Sequence, residues 1–202
     1  MNSKRTERNQ QISDLVFASI IIAIILILTV TFGYLNNNGV VVFTIVHIPV
    51  LVGTVVLGKK YGLLFGTVMG VGSLIMAFVF QGINLPFTNP LLSVLPRTVF
   101  GYLIVFVYDF FNKLIKTKYA SIPITMAVST FIHTLLVLPL LYIVMETKFF
   151  FLVSEFPSLE KTTFLALFWL IMTSNAFLEI VLAAVIGSAT LIPLLVIKEK
   201  QE

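Results

Sequence analysis

Cysteine is absent from this chain of 202 residues, and charge is scarce at 11%. The first absence excludes disulfides and thiolate metal sites. The second says more, because a soluble domain carries about 25% charged and about 45–50% apolar residues. Here 58% of residues are hydrophobic and the mean hydropathy is +1.06. That leaves too little polar surface to coat a water-soluble globule, so the solvent is lipid. Catalytic signatures are missing as well. No G-x-x-x-x-G-K-[ST] phosphate loop, G-x-S-x-G or H-E-x-x-H occurs, and His47 and His133 stand far apart in sequence. ATP binding of the P-loop kind, nucleophile-elbow hydrolysis and zincin chemistry are thereby excluded, and neither a cofactor nor a metal is expected. The chain does not read as an enzyme.

What is present is a series of apolar runs. A membrane span needs about 20 apolar residues to cross a core of roughly 30 Å. Stretches of that kind are Leu15–Tyr34, Val40–Leu57, Tyr61–Phe80, Leu91–Phe111, Ile122–Met145 and Phe164–Val196. Turn-forming and charged segments separate them, among them Asn36-Asn37-Asn38-Gly39, Gly58-Lys59-Lys60 and Glu146–Thr163. The first run is longer than a signal h-region and no small-residue cleavage site follows, so it reads as an uncleaved span. The last is overlong for one straight crossing; it must tilt, kink near Gly187 or Pro193, or continue along the surface. The net charge of +4 does not point to nucleic acid, because the basic residues lie in short clusters between spans. With the N-terminus inside, cytoplasmic segments hold ten Lys or Arg and outer loops only Lys148 and Lys161. That asymmetry fixes orientation and requires an even number of spans. The expectation is an all-α integral membrane protein of six transmembrane helices, both termini cytoplasmic, forming a single membrane domain over residues 1–202.

Polar groups inside the spans are the candidates for function, since a charge at mid-bilayer costs about 2.5–3.5 kcal/mol and normally faces a cavity or partner. Arg97 leads. Asn89 and Pro90 form an N-cap and first-turn pair opening the fourth span, and seven residues at about 1.5 Å each put Arg97 roughly 10 Å below the outer surface. Counted from Val40, His47 lies at a similar depth. Pro49 and Pro96 each free a carbonyl one turn earlier, which is tolerated at membrane depth beside a cavity. Thr173, Ser174, Asn175 and Glu179 come from the last span, with Asn175 and Glu179 on one face. An ion pair between Arg97 and Glu179 competes with a ligand-facing Arg97; their depths differ by roughly 12 Å, which favours the ligand. His47 and His133 read first as satisfied bundle histidines, with ligand contact the alternative. Asp109, four residues before Lys113, reads as a surface pair.

Small residues form a second pattern. Gly62, Gly66 and Gly70 recur every fourth residue, with Ser73 and Ala77 continuing the stripe, and Ser19 and Ala23 make a weaker pair on the first span. Such faces let helix backbones approach closely, within the bundle or against a partner. For the glycine stripe, packing within the bundle is the favoured reading.

His47-Ile48-Pro49-Val50-Leu51-Val52-Gly53, then Val56-Leu57-Gly58-Lys59-Lys60-Tyr61-Gly62, resembles the S components of energy-coupling factor transporters. So do Leu95-Pro96-Arg97 with Gly101, and Ser129-Thr130-Phe131-Ile132-His133-Thr134, where relatives carry a small-residue and Asn-Thr segment. Among the specificity types the chain is most similar to the pantothenate-specific one. The resemblance implies a multi-pass plasma-membrane protein that binds a small vitamin and works with a transmembrane coupling subunit and two ATP-binding-cassette ATPases. It implies a ligand pocket in the outer half, for which Arg97, His47, Asn89, His133 and Asn175 are the candidates. It also implies docking on the coupling subunit through small residues, usually Ala-x-x-x-Ala on the first helix. Here Ala18 is followed by Ile22, so the pattern survives as Ser19 and Ala23, with Gly66 a further docking candidate. A pyridoxine-like, hydroxymethylpyrimidine or niacin ligand is the alternative, and a small membrane enzyme or an assembly subunit a more distant one. The charge asymmetry sets a topology that labelling checks. Cysteines placed at Asn37 and in the Glu146–Thr163 loop should react with an impermeant reagent in intact cells, and those at Lys59 and Lys116 should not. A reactive Lys116→Cys variant would overturn the topology.

Overall fold

The computed structural model describes residues 2–37, 45–80, 82–147 and 176–199, and these are almost wholly helical. In chain order come α1 (Asn2–Asn37), α2 (His47–Leu57), α3 (Lys59–Val79), a 3-10 helix (Gly82–Thr88), α4 (Pro90–Ser93), α5 (Leu95–Leu114) and α6 (Lys118–Thr147). A rod follows, made of α7 (Phe177–Leu182), a π-helical stretch (Ala183–Gly187) and α8 (Ser188–Glu199). Among the described residues, five helical stretches are long and apolar enough to cross a membrane: Glu7–Leu35, Lys59–Val79, Pro90–Leu114, Tyr119–Val144 and Phe177–Lys198. The shorter apolar helix is α2.

Three boundaries depart from the sequence reading. The helix containing the first span begins at Asn2 rather than Leu15, because the polar stretch before it holds good helix formers and no Gly or Pro. Its 36 residues extend about 54 Å, so its first turns outrun the hydrocarbon. The second span is not one helix from Val40: Ile45 and Val46 are non-helical and α2 starts at His47. Pro49 explains the start, since in the first turn its missing N–H costs nothing, and the Ile45 carbonyl accepts instead from Ile48 N–H at 3.0 Å. In the last span the irregularity is the π-helical stretch that ends at Gly187; Pro193 lies inside α8 without breaking it. Residues 40–44, 164–175 and the loop beyond Thr147 lie outside the described residues.

Lipid tails are as apolar as leucine, so burying side chains supplies little drive between helices and close contact must supply it. The tightest seam joins α3 to α5. A Cβ on Gly62 would meet the Gly101 carbonyl, one on Gly66 the Arg97 carbonyl, and one on Gly70 would lie 2.7 Å from Val94 Cα. Backbone therefore touches backbone along three turns, with the helices antiparallel. On the other side of α3, Gly33 faces Met76 and Gly72 faces Thr29, so α1 and α3 run in parallel. Ala18, Ile21, Ile25 and Thr29 form the buried stripe of α1, and its other faces are exposed and apolar. Phe65, Phe100, Leu51, Ile104 and Met126 fill the centre. Gly58, at φ 89°, turns α2 into α3, and there Lys198 from α8 donates to the Val56 carbonyl at 2.9 Å, capping an orphan of the α2 end.

Gly66→Leu should thus act on folding. The obstructing atoms are backbone and cannot swing away, so we expect a loss of more than about 3 kcal/mol, above the usual range for overpacking. Ala23→Leu, on an exposed face, should leave the melting temperature in detergent near wild type. Equal melting temperatures for both variants would refute the seam.

Candidate functional site

The chain does not step straight from α3 into the next span. The 3-10 helix packs back against α3 and α1, and its end enters the bundle: Thr88, Asn89, Leu92 and Ser93 are all 0% exposed. Asn89 caps α4, its Oδ1 accepting from Leu91 N–H at 2.9 Å with Pro90 at the first position. The cap and proline signature was legible in sequence; its depth was not, because counting began at a surface that Asn89 does not occupy. The Arg97 backbone lies level with Gly66, about 10 Å along α3 from Lys59 and about 20 Å from Val79. Arg97 therefore lies well inside the span, farther from the Val79 end than a count from Asn89 as a surface residue would put it.

Its side chain is 8% exposed and turns back along its own helix. Nη1 donates to the Ser93 carbonyl at 2.7 Å and the Leu92 carbonyl at 3.3 Å. The Leu92 carbonyl is the acceptor that Pro96 cannot use, so the proline beside Arg97 creates one of its anchors. The Phe87 ring lies 5.1 Å from the guanidinium carbon. Nε is buried without a partner. Among the described residues the Arg97 guanidinium is held by these two carbonyls and this ring, with no ion pair to a carboxylate.

The two histidines distant in sequence meet in space. His47 opens α2, 0% exposed, and stacks on His133 of α6 with ring centroids 5.9 Å apart and 17° between planes. Phe100 of α5, one turn below Arg97, packs on His133 with ring centroids 4.8 Å apart, which brings the Arg97 turn of α5 beside α6. His133 Nε2 is buried without a hydrogen-bond partner, as are Ser129 Oγ and Thr130 Oγ1, one turn earlier on α6. Each such atom costs about 1–3 kcal/mol when nothing satisfies it. Arg97 Nε on α5 and the unsatisfied imidazole and hydroxyls on α6 are thus the polar groups available to a small polar ligand. Among the described residues no three His, Asp or Glu side chains gather as metal ligands.

Arg97, His47 and His133 thus come together, with Asn89 at the cap above them. Asn175 lies outside the described residues. Ser19 and Ala23 sit on the exposed face of α1, where Ser19 returns its hydroxyl to the Leu15 carbonyl at 2.8 Å, whereas the Gly66 face is filled by α5 of the same chain. That placement takes Gly66 away from a partner surface. Phe87, Phe100 and the unpartnered Ser129 and Thr130 are additions. The hydroxyls had a signal, being four and three residues before His133 on a helix; Phe87 had none, since its position depends on the return of the 3-10 helix.

A search of curated proteins found no match. A family model described as the ECF transporter, substrate-specific component, matches residues 13–189, most of the chain. The chain belongs to the substrate-specific components of energy-coupling factor transporters, all-α multi-pass proteins of the plasma membrane.

Proposed function

We propose that this substrate-specific component captures pantothenate, holding its carboxylate with Arg97. Family membership makes the chain a vitamin-binding component that associates with the energy-coupling module and its ATPases. The carrying observation for an anionic ligand is a guanidinium buried inside the helix bundle, with no carboxylate partner among the described residues and Nε unspent. A carboxylate there gains charge-assisted hydrogen bonds in a medium that screens little. His133, Ser129 and Thr130 offer donors and acceptors to the hydroxyls and amide of the same ligand, and His47 backs His133. In this reading the exposed Ser19 and Ala23 face of α1 meets the coupling subunit, the termini are cytoplasmic, and the chain is one membrane domain.

Arg97→Ala should cost about 2–5 kcal/mol of pantothenate affinity, because truncating one partner strands the other in a dry site. Arg97→Lys should recover part, as a point charge cannot reproduce the guanidinium fork. The uncharged alcohol analogue pantothenol should bind wild type and both variants alike. Calorimetry with the purified protein checks this. An equal loss for both ligands would make Arg97 a structural support, and no loss for either would move the pocket elsewhere.

A further inference from the structure

Phe87 is the side chain that covers the guanidinium. It belongs to the 3-10 helix Gly82–Thr88, which is held against α3 and α1 rather than continuing into α5. Phe87 touches Arg97 by two routes. Its ring faces the guanidinium at 5.1 Å. Its carbonyl accepts the Ser93 hydroxyl, and the Ser93 carbonyl accepts Arg97 Nη1 at 2.7 Å. The ring route is electrostatic, the negative π face meeting a delocalised cation, and it strengthens where water is excluded. Neither route consumes Nε.

We propose that Phe87 is a positioning residue for anion binding, fixing the Arg97 guanidinium before the ligand arrives. An arginine side chain has many rotamers, and freezing them on binding weakens affinity. The ring and the Ser93 relay hold one rotamer in advance, with Nη1 spent on carbonyls and Nε left for the ligand. The proposal rests on Arg97 as the carboxylate contact, but the rotamer of Arg97 is observable without any ligand, so the two ideas fail separately.

The test replaces Phe87 by mono-, di- and trifluorinated phenylalanine in the full-length protein. Fluorination drains the π face stepwise while keeping ring shape, so folding is spared. Phe87→Leu and Phe87→Tyr complete the set. Affinities for pantothenate and pantothenol are measured together with the Nε–H resonance of Arg97. The sequence holds three arginines, Arg5, Arg8 and Arg97, so nitrogen-15 arginine labelling gives few signals and Arg97→Lys assigns the one needed. Pantothenate affinity should fall stepwise, by about three- to thirtyfold at full fluorination. Pantothenol should be unaffected, Phe87→Tyr should retain wild-type affinity, and the Arg97 signal should broaden along the series. A flat series with an unchanged Arg97 signal overturns the proposal, as does an equal loss for both ligands. An Arg97 signal that tracks fluorination, with Arg97→Ala neutral for pantothenate, upholds the positioning of Arg97 and removes the carboxylate reading.

Discussion

A guanidinium buried inside a membrane bundle must be held by something, and the way Arg97 is held organises its surroundings. Pro96 removes the donor that would satisfy the Leu92 carbonyl, and Arg97 turns back to take that carbonyl and its neighbour on Ser93. The cation is thus solvated by backbone dipoles and an aromatic face, not neutralised. Among the described residues no carboxylate cancels its charge, so the interior keeps a positive centre suited to an anion. The break between α4 and α5, the buried cap at Asn89 and the return of the 3-10 helix all serve that one side chain.

The glycine seam gives the centre its address. Because Gly66 lets the Arg97 carbonyl lie directly against it, the depth of α5 relative to α3 is set by backbone contact, with no soft side chain between to absorb a slip. A shift of one residue would drive Cβ atoms of Val94 or Thr98 into the other backbone. The same packing brings Phe100, one turn along α5 from Arg97, against His133, which ties α6 and, through the imidazole stack, α2 into the cluster.

The apolar helices, the Asn89–Pro90 cap, the carbonyls freed by Pro49 and Pro96, and the place of Arg97 inside a span were legible in the sequence, because each is local: periodicity, hydropathy or the missing proton of proline. The internal role of the glycine stripe was legible as the favoured of two readings. Depth was not, since Asn89 and Pro90 read as opening the fourth span at the outer surface, whereas Asn89 is fully buried. The meeting of His47 with His133 was equally hidden. It depends on where α2 starts, and sequence counting from Val40 placed His47 seven residues into a helix that it in fact opens. Phe87 among many phenylalanines carried no mark of its contact with Arg97.

The central claim is that the buried Arg97 cluster holds an anion. Mass spectrometry of small molecules released from the purified protein tests it most directly, comparing wild type with Arg97→Ala prepared from the same cells. A carboxylate-bearing compound should accompany wild type in near-stoichiometric amount and be depleted from the variant. A neutral or cationic compound retained equally by both proteins would contradict the claim.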